Sequence, residues 1–301
     1  MDQHISRRLI LGAALTGAAA AVAGCGSGTA APRTGAAGTG SSSGAPTGSP
    51  AASGSPTTSA TSAPPASPAQ IAARATVPVL CYHQVRPYQA SDSGYTRQLL
   101  VMPPEKFRAQ LDAIAGAGYT TVTPDAYLAA LTTGAALPDK PVMLSFDDGK
   151  DNQPQTAFAE LSKRDMTGVW YIMTVVIGNP GWTTKKQIRA VADAGHVIGS
   201  HTWDHHDVRE YGPKDWAPQF EKSRETLRDI SGQEVASFAF PYGAWNEAAL
   251  PHLAKAGYST AFQLNDKPLD PAKPLLTLRR SLAASDWTGP QVVAKLDELS
   301  A

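Results

Sequence analysis

The sequence predicts an α/β protein, a distorted (β/α) barrel with seven or eight βα units. Three observations lead there. From Val77 onward, short apolar runs alternate with segments whose apolar residues recur at helical spacing. The apolar runs are near-continuous, as in strands of a parallel sheet covered by helices. No glycine-rich nucleotide fingerprint follows the first run, which favours a closed or nearly closed barrel over an open doubly wound sheet.

Taken in order, "VPVLCYH" is the first short apolar strand and "PEKFRAQLDAIAGAG" the first helix, with Phe107, Leu111, Ile114 and Ala115 on one face, a Pro-led start and a stop at Gly116 and Gly118. The strand "YTTV", the helix "PDAYLAALTTG" and the strand "PVMLSF" follow. Next come a helix near "PQTAFAELSKR", the strand "TGVWYIM", the helix "TKKQIRAVADAG" and the strand "HVIGSH". A long helix "PKDWAPQFEKSRETLRDISG" leads to "VASFAF", "NEAALPHLAKAG" to "YSTAF", and a loop to "LLTLRR" and the last helix "GPQVVAKLDELS".

The region before this pattern is read differently. "MDQHISRRLILGAALTGAAAAVAGC" joins a basic start (Arg7, Arg8) to a weak apolar stretch and small residues, the layout of an export signal over residues 1–24. "SRRLIL" resembles a twin-arginine signal, although an ordinary secretory start fits as well, and "VAGC" resembles a bacterial lipobox, which makes Cys25 a lipid anchor. Residues 25–75 are read as a tether of Gly, Ala, Ser, Thr and Pro too poor in large apolar side chains to order itself, and 76–301 as the catalytic domain. The expected location is therefore the extracellular face of a bacterial membrane, with the membrane touched only through the lipid. Formal net charge is zero, which argues against nucleic-acid partners. With Cys25 assigned, Cys81 is the one remaining cysteine, so no disulfide framework is expected and Cys81 reads as a buried strand residue. A monomer is expected.

In a βα barrel the strand C-termini share one face, so polar residues there converge. His83, Asp147, Asp148, His201, Tyr242 and Arg280 all fall at or just past such ends. In "LSFDDG", two adjacent carboxylates repel each other unless a cation or proton intervenes. In "GSHTWDHH", His201 and His205 are four apart, which on a helical turn puts both imidazoles on one side. His206 is out of phase and reads as a surface group. Two histidines and a carboxylate with an open position form the donor set of catalytic zinc.

"SFDDG", "HTWDH" and "FPYG", in this order, resemble the polysaccharide deacetylases of carbohydrate esterase family 4. The resemblance implies that Asp147 is the general base, that Asp148, His201 and His205 hold a divalent metal, zinc first, and that the Tyr242 N–H helps bind the oxyanion. Two family features are missing: no arginine stands shortly before Pro241–Tyr242, and no histidine follows His252 to serve as general acid. The branch acting on poly-N-acetylglucosamine takes its acid from a Tyr-His strand, which "CYHQV" resembles. His83 is then the acid, and "LRRS" returns the arginine as Arg280, with Arg279 as second choice. Asp286 and Trp287 are candidates for a groove wall or for orienting His83, and Trp182, Trp203 and Trp245 for sugar stacking. The implied activity is removal of N-acetyl groups from a wall or extracellular polysaccharide. The alternatives are an O-acetyl esterase of the xylan type, a non-haem iron oxygenase, and a wall-binding module without catalysis.

Overall fold

The computed structural model describes residues 66–264 and 267–301; the export signal and Cys25 lie outside them. Among the described residues, ten strands and eight α-helices follow the predicted alternation apart from the short strands before the second helix. The strands are β1 (Val79–Tyr82), β2 (Gln84–Val85), β3 (Val101–Met102), β4 (Thr120–Thr121), β5 (Pro141–Phe146), β6 (Gly168–Ile172), β7 (Val197–Ser200), β8 (Ser237–Ala239), β9 (Thr260–Phe262) and β10 (Ser281–Leu282). The helices are α1 (Pro68–Arg74), α2 (Pro104–Gly116), α3 (Pro124–Thr133), α4 (Phe158–Ser162), α5 (Lys185–Asp193), α6 (Ser223–Ser231), α7 (Ala249–Lys255) and α8 (Gly289–Ser300).

All paired strands are parallel, in the order β10-β1-β5-β6-β7-β8-β9, with β4 beside β5 and β2 with β3 in a separate ribbon. The predicted strand "LLTLRR" is mostly irregular. Leu278 makes a parallel bridge to Phe262 of β9, while Leu80 pairs with Ser281 of β10. The segment from Leu278 to Leu282 thus spans the gap between the two ends of the sheet, and Arg280 sits in its middle.

Alternation along each strand divides the core in two. Val79, Met143, Val169, Tyr171, Ala239, Phe262 and Leu278 pack in one cluster inside the barrel. Leu80, Tyr82, Leu144, Phe146, Trp170, Ile172, Ile198 and Phe238 form the other, under the outer helices. The inner cluster also takes Ile71 of α1 with Tyr127 and Leu131 of α3, and Arg74 donates to the Leu131 carbonyl at 3.0 Å. These two helices cover the inner cluster at the strand N-terminal end. The folded region therefore starts before residue 75, the expected end of the tether. The capping box of Ser67 and Gln70, with Pro68 at the first helical position, starts α1.

Candidate active site at the strand C-termini

The barrel mouth is built from short continuations of the strands. Register pairs Cys81 with Ser145 and Tyr82 with Phe146, and the Asp147 N–H donates to the Tyr82 carbonyl at 2.9 Å, so His83 and Asp147 emerge side by side. Asp148 then adopts a left-handed φ of 76° and Gly149 one of 85°. A side chain at Gly149 would strike Ile172, so this turn requires glycine.

Asp147 is buried, and so is the guanidinium that faces it. Arg280 Nη1 donates to Oδ1 at 2.6 Å and Nη2 to Oδ2 at 2.8 Å, with Ser145 Oγ 3.2 Å from Nη1 and the Tyr171 ring 5.1 Å from the guanidinium carbon. Burial opposes the carboxylate charge, but the Arg280 charge and fork outweigh it and hold the Asp147 carboxyl well below the usual range. Asp147 is therefore an ionised carboxylate at any working pH. Arg279, the second candidate, is exposed, whereas Arg280 is buried against Asp147.

Asp148, His201 and His205 converge on the other flank. Asp148 Oδ1 lies 3.7 Å from His201 Nε2 and 3.5 Å from His205 Nε2. His201 Nδ1 lies 2.7 Å from the Ala239 carbonyl, which only accepts, so that nitrogen carries the proton and Nε2 presents a lone pair. Burial, opposed by Asp147 and Asp148, lowers the His201 pKa to about 4, so the ring is neutral at pH 7. A carboxylate and the lone pair of a neutral imidazole then face each other with no proton between them, an arrangement that a cation resolves. Tetrahedral ligands at zinc distances sit about 3.3 Å apart, close to what these atoms show. The residues fit a divalent metal.

The pairing of the two histidines does not come from the helical turn that their spacing suggests. Residues 201–207 are irregular, and Thr202 and His205 take left-handed φ values of 67° and 63°. The turn is held by the Thr202 hydroxyl, which accepts from the His205 N–H at 3.0 Å, and by Gln219, which accepts from the Trp203 N–H and donates to Asp204. His206 is exposed and pairs with Asp204, as expected of a surface group.

Tyr242 lies in the one-turn helix Pro241–Gly243 with φ 59°, and its side chain is 66% exposed. Its ring meets that of His205 edge-on at 4.6 Å. The N–H of such a first turn has no partner within the turn. Gly243 is required here, because a Cβ would collide with the Leu264 backbone.

A pocket of about 250 Å³ is lined by His83, Asp147, Asp148, His201, His205 and Tyr242, with Tyr95, Leu100, Leu264 and Leu282 as its remaining wall. All six residues that the sequence placed at strand ends thus meet: five line the pocket around Asp147, and Arg280 stands behind it. Asp286 and Trp287 do not reach His83. Asp286 accepts from Gln98 at 2.9 Å, and Trp287 packs against the outer core. Trp245 is buried, its indole N–H donating to Gln263, and the Lys150 ammonium covers the Trp182 ring at 3.2 Å, so of the proposed stacking residues Trp203, 44% exposed, remains available.

Sequence reasoning missed Gln153. Its amide nitrogen donates to the carbonyls of both His83 and Asp147, at 2.6 and 2.5 Å, while Asn152 accepts from the Val85 N–H. The start of one helical segment thereby ties the two strand ends together. Glutamine is not a catalytic signature, and only the tertiary arrangement exposes this role.

The mouth of this parallel βα barrel thus carries a buried carboxylate, a donor set that could hold a cation, and a flanking histidine. Residues 134–261 match the family model for polysaccharide deacetylase. The Bacillus subtilis protein YxkH is 28% identical over 184 residues, 61% of this chain and 63% of its own length. The poly-β-1,6-N-acetyl-D-glucosamine N-deacetylase of Staphylococcus aureus is 24% identical over 163 residues, 50% of this chain and 56% of its own. The match thus spans less than two thirds of either relative. Among solved structures, IcaB from Ammonifex degensii superposes with a TM-score of 0.61 at 27% identity, covering 75% of this chain and 97% of that one.

Proposed function

We propose that this protein is a metal-dependent hydrolase that removes N-acetyl groups from an N-acetylglucosamine-containing polysaccharide of the cell wall or extracellular matrix. The observation that carries the reading is the position of Asp147: ionised by Arg280, and flanked by the Asp148–His201–His205 donor set on one side and His83 on the other.

Asp148, His201 and His205 would hold the metal, zinc in our reading, which polarises an acetyl carbonyl and makes a water more acidic when bound. Asp147 takes the proton of the attacking water, and Arg280 keeps that carboxylate charged and oriented. The Tyr242 N–H donates to the oxygen on which negative charge develops, a contribution of about 3 kcal/mol for one well-placed donor. His83, protonated, gives its proton to the leaving amine, so that acetate and a free amino sugar result. The sequence likeness to the Staphylococcus aureus enzyme and the placing of a histidine just past the first strand both support poly-N-acetylglucosamine as the substrate class.

In the same proposal the chain is exported, lipidated at Cys25 and held as a monomer at the outer face of the membrane. Among the described residues no helix is long and apolar enough to cross a membrane. The test is acetate release from N-acetylglucosamine oligomers and from acetylated xylan. Release from the first alone is expected; release from xylan alone would replace amide with ester chemistry.

A further inference from the structure

We propose that Cys81, His83 and Asp147 form a second cation site, selective for thiophilic metals, and that zinc or cadmium bound there arrests the reaction. Strand alternation turns Cys81 and His83 to the same face, and the β1–β5 register sets Asp147 beside His83. Cys81 Sγ stands 4.0 Å from His83 Nδ1, and one donor atom from each of the three residues lies within 4.8 Å of the other two. Zinc with sulfur and nitrogen ligands holds those two atoms about 3.6 Å apart, so a movement of less than about half an ångström brings that pair to ligand spacing.

The chemistry separates this site from its neighbour. Asp148, His201 and His205 offer nitrogen and oxygen only, whereas Cys81 adds a soft sulfur that favours zinc and cadmium over magnesium or manganese. Cys81 is fully buried, and burial together with Asp147 holds it as a neutral thiol against the pull of Arg280. Binding therefore exchanges one thiol proton for the ion, forming a metal–thiolate bond and releasing a proton to solvent. His83 and Asp147 both line the pocket, which gives the ion its path inward. With Nδ1 ligated, His83 can no longer form the imidazolium that protonates the leaving amine, and the ion's charge makes Asp147 a weaker base. That inhibition rests on the deacetylase reading; the binding does not.

The test uses the full chain carrying Cys25→Ser, in which Cys81 is the one thiol left. Cadmium titration is expected to show an ultraviolet cadmium–thiolate band. The band should vanish in Cys81→Ser, weaken at least tenfold in affinity in His83→Ala, and persist in His205→Ala, whose first site is damaged. Acetate release should fall as the band grows, and Cys81→Ser should resist cadmium at those concentrations. Absence of the band from the folded protein, or a band indifferent to His83→Ala, overturns the site. A band that grows while acetate release stays constant leaves the site standing and overturns the inhibition. In a protein that releases no acetate at all, the band still shows whether cadmium binds, so the two readings fail separately.

Discussion

Arg280 and Asp147, 133 positions apart in the chain, form a two-bond fork inside the barrel, 2.6 and 2.8 Å long. Breaking a buried pair by removing one partner costs about 3–5 kcal/mol because the other charge is left uncompensated. Arg280→Ala is therefore expected to lower the melting temperature as well as turnover, a larger structural effect than the sequence alone suggests. Without the cation, Asp147 takes up a proton more readily, so the acid limb of the activity profile moves to higher pH. Arg280→Lys, which keeps charge but loses the fork, should move it less. A stability loss with an unmoved pH profile would assign Arg280 to structure alone.

Asp147→Asn preserves shape and removes the base. Turnover is expected to fall by about 10²–10⁴-fold, the range for a lost general base. Metal content should stay near wild type, because the proposed ligands are Asp148, His201 and His205. Near wild-type turnover would place the base elsewhere.

His83→Ala should retain metal and fail at the amine-leaving step by a comparable factor of about 10²–10⁴. An aryl acetate, whose leaving group needs no proton, discriminates: the variant should hydrolyse it almost as fast as wild type does. Equal losses on both substrates would indicate a disturbed pocket rather than a missing acid.

Stability of the metal-free protein should depend on pH through two histidines. Burial lowers the pKa of both His196 and His201 to about 4, against about 6.5 in an unfolded chain. Between these values the unfolded state binds more protons, so unfolding free energy falls as pH drops through that window and is level above it. Asp147, whose folded pKa is also depressed, adds its own loss only below the ordinary carboxylate value near 3.8. Urea midpoints at pH 7.5, 5.5 and 4.5 check this; constancy across that range would contradict it.

Much of the barrel was legible because its strands are apolar runs and its helices open on Pro and close on Gly. Helix α3, for instance, runs from Pro124 to a left-handed Gly134. What escaped lies where periodicity has no length to act. Strands β2 and β3 have two residues each, and the π-helical turn Thr96–Leu100 between them carries no amphipathic pattern. Helix α1 was hidden in an Ala- and Pro-rich run whose single large apolar residue is Ile71, although its Ser67–Gln70 capping box was there to be read. Within the site, the acidic and imidazole positions were legible from their places at strand ends. The left-handed turn that aims His205 and the Gln153 bridge were not, because backbone φ and bonds to carbonyls leave no mark on residue spacing.

The most direct measurement is acetate release from an N-acetylglucosamine oligomer by protein stripped with a chelator and then given one equivalent of zinc. We predict loss of release on stripping, recovery with the single equivalent, and no recovery in Asp148→Ala, His201→Ala or His205→Ala. Release that survives stripping, or recovers equally in those variants, would contradict the proposed centre.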